Sequence, residues 1–119
     1  MRADRARLLD ILDAIAKIER HSSIDKDLFA RDELVQTWMV YHLQVIGEAV
    51  TQLSDELRAR YPDIPWRAIA AMRHAIVHAY FRVDLDEVWS AVKNDLPGLT
   101  ARIQAILDQE SDDCRADAG

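Results

Sequence analysis

Residues 34–53 read LVQTWMVYHLQVIGEAVTQL, and their spacing decides the fold. Val35, Met39, His42, Ile46, Ala49 and Leu53 recur at intervals of 4-3-4-3-4. That is the seam of a helix packed on another helix. Leu34, Trp38, Tyr41 and Val45 form a second apolar stripe beside the first. Two stripes on one helix require two packing partners. One is the core of the domain; the other is open to a second subunit, because a chain of 119 residues has few elements to cover both faces.

Helical periodicity continues in both directions. Leu8, Leu9, Ile11, Leu12, Ile15 and Ile18 predict an amphipathic first helix ending near Arg20, followed by a turn at His21-Ser22-Ser23 and a cap at or near Asp25. The long second helix is expected from about Asp27 to about Arg58. Tyr61-Pro62-Asp63-Ile64-Pro65 reads as a loop, with Pro65 at the entry of a third helix running from about Trp66 to about Tyr80. A fourth helix starts at Asp84, where acids suit the helix dipole, and buries Leu85, Val88, Trp89 and Val92. Asn94-Asp95-Leu96-Pro97 reads as a break before a last helix carrying Leu99, Ile103, Ile106 and Leu107. The expected architecture is all-α, an antiparallel bundle of four to five helices that dimerises through helices. Residues 1–108 form the domain, and residues 109–119 an acidic, disordered tail.

The formal charge is −6, which argues against a uniformly basic nucleic-acid binder. The charge is uneven, however. Residues 58–82 hold Arg58, Arg60, Arg67, Arg73 and Arg82 against the single acid Asp63. A local cationic strip of this kind can handle a polyanion. Cys114 is the only cysteine, which excludes an intrachain disulfide and fits a reducing, cytoplasmic location. Neither a signal peptide nor a membrane-spanning run is expected.

One cluster carries chemistry. Arg73-His74-Ala75-Ile76-Val77-His78-Ala79-Tyr80 places an arginine, two histidines and a tyrosine within eight residues of the basic segment. Arg73 and His78, five apart, point about 140° away from each other on an ideal helix, so they converge only across an interface or where the helix end loosens. Ala68, Ala71, Ala75 and Ala79 let another helix approach closely, a layout suited to a composite site at a two-fold contact. An imidazole is the usual general acid or base near neutral pH, and a guanidinium clamps phosphate oxygens. Together they suffice to cleave RNA without a metal, the 2′-hydroxyl acting as nucleophile. His74 and His78 also have the i,i+4 spacing of metal ligands, but Ala75 stands where a zinc protease would have Glu and no third ligand is evident, so no metal is expected. His42 reads as a core or interface histidine, Glu48 beside Gly47 as a helix-packing feature, and Trp38, Trp66 and Trp89 as packing anchors.

The Arg-His-x-x-x-His-x-Tyr run resembles the signature of HEPN-domain ribonucleases, and specifically of HepT-type toxins. Leu43-Gln44-Val45-Ile46-Gly47-Glu48-Ala49 resembles the family's Ile-Gly-Glu-Ala segment, and Pro62-Asp63-Ile64-Pro65-Trp66 its entry to the motif helix. Tyr80-Phe81-Arg82-Val83-Asp84 and Asp95-Leu96-Pro97 resemble the family's segments after the motif. The resemblance covers roughly residues 5–107, in the right order. It implies a homodimeric, cytoplasmic, metal-independent endoribonuclease without cofactor, the toxin of a type II/VII-like toxin–antitoxin system. It implies that Arg73 and His78 are the catalytic pair, contributed by both subunits, with His74 (where the family often has Asn) and Arg82 supporting the site or contacting RNA. It further implies that Tyr80 receives AMP from a cognate minimal nucleotidyltransferase antitoxin, blocking RNA by bulk and charge. The alternative from another class is a non-catalytic HEPN-like module that binds nucleotides or a partner.

Overall fold

A computed structural model describes residues 2–21, 23–75 and 85–118, with side chains for residues 3–21, 23–71 and 85–110. All regular structure among the described residues is helical. α1 (Arg2–Glu19) lies against α3 (Glu33–Thr51), and the two run antiparallel. At one end Asp4 meets Ser54, just beyond α3; at the other the Trp38 indole Nε1–H donates to the Lys17 carbonyl. Leu8, Ile11, Ile15 and Ile18 of α1 and Met39, Leu43, Ile46 and Val50 of α3 belong to one buried apolar cluster. The seam read from the sequence is therefore the core seam, with Met39, His42, Ile46, Ala49 and Leu53 buried.

The long second helix expected over about 27–58 is instead three helices, α2 (Lys26–Arg31), α3 and α4 (Asp55–Arg60). Side-chain capping explains both interruptions. Asp32 adopts an extended backbone, and its carboxylate accepts the N–H groups of Leu34 and Val35, starting α3 afresh. Ser54 likewise accepts the Leu57 N–H through its hydroxyl and starts α4. The Asp25 cap holds as expected, accepting the Leu28 N–H at 2.7 Å.

α5 (Trp66–Ala75) packs against α3. The rest of the third helix expected from the sequence, to Tyr80, lies outside the described residues, as does Asp84, the expected start of the fourth. α6 (Leu85–Ser90) packs its Trp89 ring on Phe29 of α2, with centroids 5.2 Å apart.

The expected break at Asn94–Pro97 is not a break. α6 passes through a π-helical turn (Ala91–Asp95) into α7 (Leu96–Ala118), with helical backbone at both junctions. The Leu96 N–H donates to the Ala91 carbonyl, five residues back. Pro97 explains the widened turn: it has no N–H to offer, and its ring would press on the preceding carbonyl in a tight α-turn. Burial of Val92, Leu96 and Leu99 holds the rod against the core across this turn. Glu110, assigned by sequence to the tail, accepts from the Tyr61 hydroxyl at 3.1 Å and pairs with Arg60 at 3.4 Å.

Candidate active site

The motif helix enters the bundle through a clamped turn. Ile64 and Trp66 are buried, and the Trp66 indole donates to the Tyr61 carbonyl at 3.0 Å. The Trp66 N–H reaches the Ile64 carbonyl at 2.8 Å, and the Ile69 N–H reaches that of Pro65 at 3.0 Å. Trp66 and Ile69 sit in the core, so the register of α5 is fixed from its first turn onward. Arg73 and His74 fall on the last turn of α5; only their backbone is placed. His78, Tyr80 and Arg82 lie outside the described residues. The structure thus places the turn that leads into the motif.

The cationic strip is narrower in three dimensions than in sequence. Arg58 pairs with Asp55 at 2.5 Å, and Arg60 with Glu110 of α7. Asp63, the one acid of the strip, pairs with Arg102 of α7, whose guanidinium holds its carboxyl below the usual carboxylate range. Of the arginines with described side chains in this segment, Arg67 alone has no acidic partner among the described residues.

His42 is 5% exposed, wedged edge-on against Trp38 and Tyr41 with ring centroids 4.5 and 4.9 Å away. Its Nε2 has no hydrogen-bond partner among the described residues. Burial holds its pKa below the ordinary value, the nearby Lys17 ammonium lowering it further and Asp13 opposing. The imidazole is therefore buried but not fully satisfied. Glu48 accepts from the Gln52 side-chain amide at 3.2 Å and lines a cleft of about 570 Å³ between α1 and α3.

Two features escaped the reading of the sequence. The first is that this cleft also holds Arg7, which donates to Gln52 at 3.0 Å. The second is a cavity of about 540 Å³ between the entry to α5 and the π turn. Ile64 and Pro65 line it with Leu96 and Leu99, and Asn94, Asp95 and Gly98 add to the wall. Pro62–Trp66 and Asp95–Pro97 were visible only as two separate matches to a family pattern. Among the described residues, no three His, Cys, Asp or Glu side chains come together as a metal site, and no helix is long and apolar enough to cross a membrane.

A helical bundle whose α5 is anchored in the core by Trp66 and Ile69 and carries Arg73 and His74 on its last turn has the layout of a HEPN-type domain. The HepT-like family, described as ribonuclease HepT-like, matches residues 11–106, and the chain belongs to that family. A protein of Thermococcus cleftensis named as a probable ribonuclease HepT is 35% identical over 106 residues, covering 88% of this chain and 96% of its own. A candidate RNase of Caldanaerobacter subterraneus subsp. tengcongensis is 34% identical over 78% of this chain and 83% of its own. Another, from Methanocaldococcus jannaschii, is 33% identical over 92% of both chains. No solved structure matches the chain significantly.

Proposed function

We propose that this chain is the toxin of a type II/VII-like toxin–antitoxin system, acting in the cytoplasm as a homodimeric, metal-independent endoribonuclease. The observation that carries the reading is the family match over residues 11–106, which spans the bundle and the Arg73–Tyr80 motif together. In this mechanism the substrate's 2′-oxygen attacks the adjacent phosphorus. The bond from that phosphorus to the 5′-oxygen of the next nucleotide breaks. His78 handles the proton of the attacking hydroxyl or of the leaving oxygen. Arg73 holds the non-bridging oxygens as charge builds on them. The products are a 2′,3′-cyclic phosphate and a 5′-hydroxyl end. His74 and Arg82 support the site or contact the RNA.

A second subunit brings Arg73 and His78 together in one of the two arrangements that their spacing allows. The α3 face bearing Leu34, Trp38 and Tyr41 supports a dimer, because it remains exposed after the fold is complete. Tyr80 is the acceptor of AMP from a cognate minimal nucleotidyltransferase; the added phosphate places negative charge beside Arg73 and His78. The test is the chemistry of the RNA ends released in excess EDTA. Cyclic phosphate termini support the mechanism, and a requirement for a divalent cation overturns it.

The net charge of −6 and the ion pairs that occupy Arg58 and Arg60 favour a second reading, a non-catalytic HEPN-like module binding nucleotides or a partner. That module would retain its function in His78→Ala, whereas a nuclease would keep its fold and lose turnover.

A further inference from the structure

We infer that the cavity between the entry to α5 and the π turn is a subsite for an unpaired guanine of the RNA substrate, an inference that rests on the ribonuclease reading. Its walls and rim differ in chemistry. Ile64, Pro65, Ile69 and Leu99 supply apolar surface for the faces of a flat ring, and about 540 Å³ is ample for one base. The rim is rich in acceptors. The Asn94 side-chain amide donates to the Ser90 hydroxyl at 3.2 Å, which leaves its carbonyl oxygen to accept. Asp95 lines the same cavity, and its carboxylate has no hydrogen bond or ion pair among the described residues.

That rim selects among ligands. A phosphate is repelled by Asp95. Adenine, cytosine and uracil each offer one donor group on the Watson–Crick edge. Guanine offers two adjacent ones, N1–H and N2–H₂, the match for a bidentate carboxylate, while unpaired RNA bases are commonly read on that edge. Arg102 pairs with Asp63 at the same cavity and retains N–H groups for the acceptors O6 and N7.

Two further observations support an occupant from the substrate. Gly98 has no positive φ, and a Cβ built there meets nothing within 4 Å. Neither backbone nor packing demands glycine, yet its absent side chain leaves the cavity wall bare. Ile69 also lies one helical turn before Arg73 on the same face of α5, about 6 Å along the axis, a distance that a single nucleotide bridges. In the backbone register of α5, the cavity wall thus lies one turn before the position at which the proposed mechanism holds the phosphate.

The test compares wild type, Asp95→Ala and Gly98→Leu on a random-sequence RNA pool, with sequencing of the cleaved ends. Wild type is expected to cleave at a fixed offset from guanine. A bidentate contact discriminates by roughly five- to 150-fold, and both variants are expected to lose that preference. Gly98→Leu fills the cavity from a position with room for the side chain, and circular dichroism checks that both variants are folded. Cleavage by wild type without guanine preference, or a preference kept by both variants, overturns the subsite and leaves the ribonuclease reading standing. If protein whose intact mass shows Tyr80 unmodified cleaves no RNA, the ribonuclease reading fails, and guanosine titrated against adenosine by NMR decides the subsite alone. Guanosine-specific shifts at the Asn94, Asp95 and Gly98 amides that vanish in Asp95→Ala uphold it, and their absence overturns it.

Discussion

The Asp4 carboxylate accepts two hydrogen bonds from Ser54, one from its backbone N–H at 2.8 Å and one from its hydroxyl at 2.6 Å. Asp4 is 5% exposed, and the Ser54 hydroxyl in turn caps α4 through the Leu57 N–H. One buried carboxylate thus ties the start of α1 to the corner where the chain leaves α3. Asp4→Ala strands two donors, and a loss of about 1–3 kcal/mol is expected in urea unfolding. Ser54→Ala removes the cap and is expected to cost about 1 kcal/mol. The double variant should lose less than the sum, because the two residues share one network. Full additivity would show that the pair does not act as a unit.

His42 makes stability depend on pH. Its folded pKa lies below the ordinary value of about 6.5 because the ring is buried. As pH falls through that ordinary value, the unfolded chain takes up a proton that the folded chain resists. The stability associated with the neutral ring is present above about pH 6.5 and is lost progressively below it. His42→Leu removes this contribution and the unpartnered Nε2. The expected outcome is a smaller drop in melting temperature between about pH 7.5 and about pH 5.5 for the variant than for wild type. Equal drops would contradict it.

Gly98→Ala is expected to raise stability by up to about 1 kcal/mol. Glycine in a helix costs about that much relative to alanine, and the added Cβ meets nothing. Thermal unfolding checks the direction; a lowered midpoint would show a contact there that the free chain does not reveal.

Leu34 is 84% exposed and Tyr41 59% exposed on α3. Charged residues at such positions normally change folding by no more than about 0.5 kcal/mol. Leu34→Glu with Tyr41→Glu should therefore leave the fold intact and break the proposed dimer. Light scattering is expected to give twice 13.6 kDa for wild type and 13.6 kDa for the variant. A wild-type monomer, or a dimeric variant, would contradict the assignment of this face.

The core of this fold is legible in the chain because burial imposes a period. Met39, His42 and Ile46 repeat at helical spacing, and each is buried. Interruptions are harder to read. Asp32 looks like one more surface acid within a helix until its carboxylate is seen to cap the next one. The corner at Ser54 depends on Asp4, fifty residues away. Pro97 signals a break, but packing of Val92, Leu96 and Leu99 carries the helix through a π turn. The motif is legible as a pattern of types and spacings. The cavity is not, because Ile64 and Asp95 share a wall only after α7 folds back on the loop before α5. The strip of arginines misleads in the same way: the acid that meets Arg60 comes from Glu110.

Arg73 and His78 are proposed to cleave RNA without a metal. The most direct measurement is turnover of a labelled RNA in excess EDTA by wild type, Arg73→Ala and His78→Ala, with intact mass first showing Tyr80 unmodified. Loss of a general acid–base group costs about 10²–10⁴-fold, and loss of a charge-stabilising donor about 10²–10³-fold. Cleavage by wild type and losses of that size in both variants are expected, with unchanged helical content. Undiminished cleavage by the variants, or activity that appears only when a divalent metal is restored, would contradict it.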